Sequence, residues 1–380
     1  MSGIYIHIPF CKQACSYCDF YFVTRHHQKQ AFVDALVEEI RSYKNLEISS
    51  ESVSSVYFGG GTPSLLSAQQ FEQILNALED VFPLQLKELT IEMNPDDVRP
   101  DYLNELKSIG VNRASMGVQS FDENLLAFMH RAHNRSEALR SLEYLSAAGF
   151  DTFTVDLIYG NPGQSLEVLN QDIDTLLSFE PPHVSAYSLT VEPQTRLGKQ
   201  VDLGRIIPPE DDQVAIHFET VVNRLGKAGI QQYEVSNYAK PGHEAVHNSA
   251  YWSHVNYLGL GPAAHSFLWD ADRNQAQRWS NKPSLKDYLE SPSHQKIEVE
   301  ILTLPALAEE RLMLGLRTKQ GVGFAELENR YHFSLSDKQK LYLKEKQNLG
   351  LVEPQNDRIS LTTDGLKIAD SIILDLITSA

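Results

Sequence analysis

Three cysteines within eight residues are the side chains of this sequence best suited to hold a metal. Cys11, Cys15 and Cys18 form a C-x3-C-x2-C pattern, and the chain of 380 residues has no other cysteine. Thiolates bind zinc and iron–sulfur clusters. A structural zinc site needs four protein ligands, and His7 or His26 could supply the fourth. A four-iron cluster on three cysteines would instead leave one iron open to an outside ligand, which fits the number present.

A glycine-rich loop follows the second predicted strand. Residues 59–63 read Gly-Gly-Gly-Thr-Pro. Glycine lets a backbone approach a ligand closely and leaves its N–H groups accessible. A tight strand-to-helix turn would explain the glycines equally well on its own. Because the loop comes one strand after the cysteines, we predict that Gly60, Gly61 and Thr62 belong to the same site.

Four further polar side chains stand at the ends of later predicted strands. A barrel of parallel strands carries its active site at the carboxyl ends of those strands. Taken singly, each such side chain is more often a solvated loop residue or a satisfied core group. The candidates are Glu92, which could bind ribose hydroxyls, Gln119, Arg131, whose charge suits a carboxylate, and Asp156.

Charge and composition limit the possible classes of function. The chain carries a formal net charge of −17, whereas a phosphate-binding surface needs clustered lysine and arginine, so bulk nucleic-acid binding is not expected. An odd number of closely spaced cysteines does not describe a disulfide framework. No window approaches the roughly 18 apolar residues of a membrane span, and the first residues read as a strand rather than a signal peptide. We predict a cytoplasmic protein without a transmembrane segment.

Hydrophobic periodicity predicts strands that alternate with helices over the first half of the chain. Strands are predicted at residues 4–8, 53–58, 89–92, 113–117, 153–158 and 184–189, with helices around 32–40, 71–78, 103–106, 138–145 and 168–177. This alternation implies an α/β fold with a parallel sheet. We predict a partial barrel of six units, since an eight-unit barrel would be regular over a longer stretch.

The second half of the chain has a different pattern. A mixed region punctuated by prolines contains one predicted helix, at residues 211–225. The rest reads as a C-terminal α+β module resembling a winged helix, with helices at 306–318, 324–331 and 336–348, a hairpin at 351–361 and a last helix at 364–377. Residues 304–380 contain 10 Lys or Arg against 11 Asp or Glu, so we predict packing or partner docking rather than DNA binding. The predicted domains are residues 1–195, 196–303 and 304–380.

The cysteine spacing resembles that of the radical S-adenosylmethionine superfamily. The resemblance implies a 4Fe–4S cluster on the three cysteines, with its open iron bound to the amino and carboxylate groups of S-adenosylmethionine and the glycine-rich loop beside them. Tyr5, six residues before the first cysteine, matches a ligand position of the superfamily, and Tyr17 matches the aromatic residue before the third cysteine. The resemblance also places Glu92, Gln119 and Asp156 where the superfamily binds the nucleoside.

Within the superfamily, the chain resembles the branch that contains oxygen-independent coproporphyrinogen III dehydrogenase and the HemW-type heme chaperones. The dehydrogenase has a fourth cysteine where this chain has Phe20. It also has an N-terminal extension, for which a first cysteine at position 11 leaves no room. Residues 247–252 read HNSAYW, the HNxxYW signature of the chaperones. The resemblance implies that His247 binds heme, whose iron imidazole ligates well; the alternative is a loop-capping histidine among core aromatics.

We therefore expect a heme chaperone that carries a 4Fe–4S cluster and S-adenosylmethionine. It would deliver heme to client hemoproteins such as respiratory-chain enzymes, with transient contact with a membrane surface and assembly into a homodimer as further expectations. The alternative is an enzyme that decarboxylates the propionates of coproporphyrinogen III. A third class, a nucleic-acid-modifying radical enzyme, is disfavoured by the charge of the C-terminal module.

Overall fold

The computed structural model describes residues 3–270, 272–353 and 357–378. Its strands are β1 (Gly3–Ile8), β2 (Val53–Gly60), β3 (Leu84–Met93), β4 (Arg113–Gln119), β5 (Thr152–Tyr159), β6 (His183–Ser188), β7 (Gln231–Gln232), β8 (Asn237–Ala239), β9 (Tyr257–Leu260), β10 (His265–Asp270), β11 (Gln275–Asn281), β12 (Lys296–Thr303), β13 (Val322–Gly323) and β14 (Arg358–Ile359). The first twelve form one sheet, and β13 pairs with β14 in a second.

The large sheet has a parallel centre and antiparallel edges. Its strand order is β12-β11-β10-β9-β1-β2-β3-β4-β5-β6-β8-β7. Strands β1 to β6 are parallel neighbours in chain order, which confirms the α/β fold and all six predicted strands. The sequence missed β9, which lies parallel to β1 as a seventh strand. With four residues and no crossover helix after it, β9 lacks the alternation that revealed the others.

The helices are α1 (Lys29–Ser42), α2 (Ala68–Glu79), α3 (Pro100–Ser108), α4 (Glu123–Phe128), α5 (Arg135–Ala148), α6 (Leu166–Leu177), α7 (Arg196–Asp202), α8 (Asp211–Lys227), α9 (Val246–Trp252), α10 (Leu285–Glu290), α11 (Leu304–Gly315), α12 (Phe324–Tyr331), α13 (Asp337–Asn348), α14 (Thr363–Lys367) and α15 (Ala369–Thr378). Four 3-10 turns, Glu47–Ser50, Pro63–Leu65, Pro95–Asp97 and Pro292–His294, complete the described elements. None of the described helices has both the length and the apolar character needed to cross a bilayer.

Strand β1 shows how side-chain alternation separates the core from the site. Successive side chains of a strand point to opposite faces. Ile4, Ile6 and Ile8 are fully buried in the same hydrophobic core as the inward face of α1. Tyr5 and His7 therefore point to the other face, toward the interior of the partial barrel.

The region after residue 195 adds strands to both edges of the sheet. Strands β7 and β8 continue it beyond β6, while β10, β11 and β12 form an antiparallel extension beyond β9. The sequence predicted a mixed region here with only one helix. That helix is α8, whose buried face includes Phe218, Val221 and Leu225.

The C-terminal module contains the predicted helices and a small two-stranded sheet. The last helix, predicted as one element, is divided into α14 and α15 at Ile368, whose backbone leaves helical geometry at φ −122° and ψ 30°. The predicted hairpin includes residues 354–356, which lie outside the described residues. Around them, Val352 and Leu361 form an antiparallel bridge, and β14 pairs with β13 rather than within the hairpin.

Candidate functional site

The carboxyl ends of β1 to β6 surround a cavity of about 490 Å³, here called the strand-end cavity. Eleven of the thirteen predicted site residues line it. They come from segments as far apart as the cysteine loop after β1 and the end of β5, which a parallel sheet brings to one edge. The eleven are Cys11, Cys15, Tyr17, Cys18, Gly60, Gly61, Thr62, Glu92, Gln119, Arg131 and Asp156.

Main-chain hydrogen bonds hold the cysteine loop in place. The N–H of Val23 donates to the carbonyl of Pro9 at 2.7 Å, and the N–H of Cys11 donates to the carbonyl of Val23 at 3.0 Å. The two histidines considered as zinc ligands serve the same loop. His26 Nε2 lies 2.8 Å from the Cys11 carbonyl oxygen, and His7 Nε2 lies 2.8 Å from that of Tyr21. One nitrogen of each imidazole is therefore engaged with backbone.

Two of the cysteine sulfurs receive hydrogen bonds from the site. Thr62 Oγ1 donates to Cys11 Sγ at 3.6 Å, and Arg131 Nη1 donates to Cys15 Sγ at 3.3 Å. Burial raises the pKa of the Cys11 thiol to about 11 and that of the Cys18 thiol to about 12. Without metal these two thiols hold their protons at neutral pH, so a bound cluster must displace them.

The glycine-rich loop packs tightly against β1 and the cysteine loop. A Cβ at Gly61 would lie 2.7 Å from the carbonyl oxygens of both Ile8 and Phe10. Gly60 has φ +104°, and a Cβ there would lie 2.5 Å from the ring of His7. The sequence explained these glycines by close approach to a ligand. The geometry adds a second reason, since a side chain at either position would strike the neighbouring strand or loop.

Glu92 is held at the floor of the strand-end cavity by two donors. Tyr57 Oη donates to Glu92 Oε1 at 2.6 Å, and the N–H of Gly60 donates to Oε2 at 3.2 Å. Burial raises the pKa of the Glu92 carboxyl, although both hydrogen bonds favour its charged form. The carboxylate is thus oriented toward the cavity with lone pairs left for a ligand.

Arg131 joins the cysteine loop to the ends of β3 and β4. Its Nη2 donates to Asn94 Oδ1 at 2.8 Å and to the Gly117 carbonyl at 2.7 Å, while Nη1 contacts Cys15 and also donates to Tyr17 Oη at 3.3 Å. Its Nε is buried and has no hydrogen-bond partner among the described residues. The guanidinium therefore positions the loop and still has one donor for a carboxylate.

Gln119 and Asp156 complete the polar wall on the β4 and β5 side. Gln119 adopts φ +70°, and its buried Oε1 has no hydrogen-bond partner within the described part of the chain. Asp156 accepts from Ser115 Oγ at 3.4 Å. Burial, together with the nearby Glu92 charge, raises the pKa of Asp156 to about 7. An unpaired amide oxygen and a partly protonated carboxyl are both available to the polar groups of a ligand.

Tyr5 and His247 lie away from the strand-end cavity. Tyr5 stacks on Tyr57 with ring centroids 6.1 Å apart and lines a second cavity. His247, on α9, is 1% exposed, and its two ring nitrogens lie 2.9 Å from Ser55 Oγ and 2.8 Å from Tyr251 Oη. Burial lowers its pKa to about 3, so the imidazole is neutral.

Two residues that organise the strand-end cavity were not predicted as site residues. Asn94 accepts a hydrogen bond from Arg131 through Oδ1 and donates one from its amide nitrogen to Thr62 Oγ1 at 3.1 Å. Tyr57 holds the Glu92 carboxylate in place by donating a hydrogen bond to it. Asn94 stands in the Asn-Pro pair at the end of β3, a position that the strand-end rule already indicates. Tyr57 is signalled only by alternation along β2, which says which face it occupies but not what it binds.

Two family profiles match separate parts of the chain. The Radical SAM superfamily profile matches residues 5–176, and the HemN C-terminal domain profile matches residues 302–367. Curated relatives match across the whole length. The heme chaperone HemW of Lactococcus lactis is 36% identical over 377 residues, covering 98% of this chain and 96% of that protein. The chain belongs to the HemW family.

Other HemW proteins agree with this placement. That of Bacillus subtilis is 33% identical, with 98% of both chains covered, and that of Escherichia coli is 38% identical over 69% of both. Among solved structures, the radical SAM enzyme coproporphyrinogen III oxidase (HemN) of Escherichia coli superposes with a TM-score of 0.83 at 22% identity, covering 100% of this chain and 90% of that one. At that identity the HemN likeness shows the fold that this HemW-family chain adopts.

Proposed function

We propose that this protein is a heme chaperone that binds heme and passes it to client hemoproteins, and that it carries a 4Fe–4S cluster and S-adenosylmethionine at the strand ends. The observation that carries the proposal is the convergence of eleven predicted residues on one cavity in a chain of the HemW family. Delivery to respiratory-chain enzymes, membrane-surface contact, a homodimer, a cytoplasmic location and the three domain boundaries remain predictions from sequence.

The cysteine loop fits a cluster with three protein ligands. Cys11, Cys15 and Cys18 line the same cavity, and the donors on Thr62 and Arg131 can stabilise negative charge on sulfur. When bound, such a cluster supplies an electron to a cofactor held at its open iron. This chain's own residues position the thiolates.

The remainder of the strand-end cavity fits S-adenosylmethionine. It holds a carboxylate for ribose hydroxyls in Glu92, a donor for the methionyl carboxylate in Arg131 Nε, and an unpaired amide oxygen in Gln119. Unpartnered buried polar atoms are costly in the absence of a ligand, so their presence supports a polar ligand at this place. Its volume of about 490 Å³ lies within the range of small-molecule sites.

The heme role rests on the HNxxYW motif and the family. Relatives over the whole length of the chain are named heme chaperones. His247 stays a predicted heme residue, and direct ligation of iron through Nε2 would require it to release Tyr251. The competing activity, decarboxylation of coproporphyrinogen III, would need no heme retention.

Three measurements on one anaerobic preparation test the proposed function. The reconstituted protein should contain close to four irons and four sulfides per chain, retain added hemin with a ligated Soret band, and leave coproporphyrinogen III unchanged. Replacing Cys11, Cys15 and Cys18 with alanine should remove the iron–sulfur absorbance, because the sequence has no other cysteine. Rapid porphyrinogen decarboxylation without heme retention would contradict the proposal, as would stoichiometric zinc with no iron after anaerobic isolation.

A further inference from the structure

A second cavity of about 660 Å³, here called the aromatic cavity, lies on the β1 and β9 side of the barrel. It shares Asp19 and Phe20 with the strand-end cavity, so the two adjoin at the cysteine loop. Phe20 is 64% exposed at this junction. The volume lies in the range of cofactor-sized sites.

Tyrosine rings form much of the wall of the aromatic cavity. Tyr5, Tyr21, Tyr251 and Tyr257 all line it. The rings of Tyr251 and Tyr257 meet edge to face with centroids 4.6 Å apart. The side chain of tyrosine combines a large apolar ring with a polar tip, which suits contact with the flat face of a macrocycle.

The HNxxYW motif reaches this cavity through its tyrosine rather than its histidine. Tyr251 lines the wall, while His247 lies one layer behind it with both ring nitrogens in hydrogen bonds, to Ser55 and to Tyr251. The backbone N–H of His247 donates to Glu88 Oε1 at 3.1 Å, which fixes the start of α9. His247 therefore holds Tyr251 in position against the cavity.

Two imidazoles line the aromatic cavity, and they differ in availability. His7 is 3% exposed, and its nitrogens face the Tyr21 carbonyl oxygen at 2.8 Å and Tyr5 Oη at 3.3 Å. His265, at the start of β10, is exposed, and its ring makes no hydrogen bond with any other residue that the structure describes. A histidine ligates iron through a ring nitrogen with an available lone pair. His265 meets that requirement where His7 and His247 do not.

We propose that the aromatic cavity is the heme site and that a ring nitrogen of His265 would hold the heme iron. The inference rests on the proposed heme-binding function and specifies its location. Tyr5, Tyr251 and Tyr257 would face the macrocycle. The carboxylates of Asp19 and Glu298 also line the cavity, and their negative charge would repel the heme propionates.

Anaerobic hemin titrations of the reconstituted protein test this assignment. His265→Ala should weaken hemin binding on the order of tenfold or more, because loss of even an outer partner of a metal ligand costs about 10–100-fold. The Soret signature of imidazole ligation should disappear with it, and added imidazole should restore that signature in the variant. His27→Ala, a matched substitution of an exposed histidine that lines neither cavity, should behave as wild type.

The alternatives give different results in the same titrations. A wild-type Soret band and affinity in His265→Ala, with both lost in His247→Ala, would overturn the inference and leave the proposed function standing. Absence of hemin binding by the wild-type protein would overturn both. Iron and sulfide content and the far-ultraviolet circular dichroism of each variant should equal those of wild type, which shows that the loss arises at the heme and not from unfolding.

Discussion

Tyr57 links the two cavities at the scale of single residues. Its hydroxyl donates to Glu92 in the strand-end cavity, and its ring stacks on Tyr5 and on His247 at centroid distances of 6.1 Å and 5.1 Å. His247 in turn contacts Tyr251 on the aromatic cavity. The sequence predicted Glu92 and His247 as site residues because a strand end marks the first and the HNxxYW motif marks the second. It could not identify Tyr57, since a tyrosine within a strand carries no spacing that distinguishes a contact from core packing.

Glu92→Gln tests the assignment of the strand-end cavity to S-adenosylmethionine. The change keeps the size of the side chain but removes one acceptor and the charge, while Tyr57 and Gly60 still present donors to it. We expect a loss of about 1–3 kcal/mol, equivalent to a roughly five- to 150-fold weaker affinity. Isothermal calorimetry on the reconstituted protein under anaerobic conditions measures it.

Glu105→Gln is the matched control, because Glu105 is an exposed residue of α3 outside both cavities. Its affinity for S-adenosylmethionine should equal that of wild type. Equal affinities of Glu92→Gln and wild type would place the nucleoside elsewhere.

The glycine-rich loop shows at the scale of elements how the fold constrains the site. The N–H of Gly61 donates to the Ile8 carbonyl at 2.8 Å, and that of Thr62 donates to the Phe10 carbonyl at 2.7 Å. These bonds attach the loop after β2 to the chain that leads from β1 to the cysteines. The sequence predicted both loops and their proximity, because consecutive parallel strands end at the same edge. It could not predict that this backbone contact leaves no room for a Cβ at the glycines, because the contact depends on how the two loops lie side by side.

Gly61→Ala should therefore damage the cluster site through packing. A Cβ would lie 2.7 Å from two carbonyl oxygens that belong to backbone and cannot rotate away. We expect a loss of about 1–3 kcal/mol in the free energy of unfolding, as for other overpacked sites, together with less iron per chain. Urea unfolding of the cluster-free protein and iron analysis after reconstitution measure the two effects.

Gly226→Ala provides the same substitution in an open place. Gly226 lies near the end of α8, and the nearest atom to its Cβ would be 4.0 Å away. Its stability should be unchanged or higher by up to about 1 kcal/mol, since alanine is the better helix former. If both variants unfold at the same urea concentration as wild type, the close contact of Gly61 with β1 does not contribute to the free energy of unfolding.

The strands at the two edges of the sheet could not be predicted from the sequence. Strands β1 to β6 each precede a helix and carry mostly buried side chains, which leaves a strong apolar signal. Strand β12 has an exposed outer surface, with Val299 and Ile301 at 54% and 51%, and β7 has only two residues. Their pairing follows from tertiary contacts with β11 and β8, which local periodicity does not contain.

At the scale of the whole molecule, His254 connects the strand extension to the C-terminal module. Its ring stacks on Phe267 of β10 with centroids 4.6 Å apart, and its Nδ1 lies 3.0 Å from Tyr331 Oη of α12. Burial and nearby arginines lower its pKa to about 3. Although Glu310 lies 3.8 Å from Nε2, it also binds Arg278, and the ring stays neutral.

Acid should loosen this connection. A histidine whose pKa is about 3 when folded and 6.5 when unfolded gives stability that is complete above pH 6.5 and is lost as the pH falls. At pH 5.5 this one group should cost about 1.4 kcal/mol relative to pH 7.5. His254→Asn removes the titration, so its free energy of unfolding in urea should fall less between those pH values by that amount.

His294→Asn, at an exposed histidine, should keep the pH response of wild type. The comparison of variants is needed because Asp156, whose pKa is raised to about 7, contributes in the opposite direction over the same range. An identical pH response of His254→Asn and wild type would show that His254 is not buried as a neutral group.

Transfer of heme from this protein to an acceptor tests the central claim most directly. The reconstituted protein is loaded with one equivalent of hemin under anaerobic conditions and mixed with an apo-hemoprotein whose heme-bound spectrum differs from its own. The account predicts that the acceptor spectrum grows as the donor Soret band decays, with iron–sulfur absorbance unchanged and coproporphyrinogen III left intact in a parallel sample. Failure to take up hemin, together with decarboxylation of coproporphyrinogen III, would contradict it.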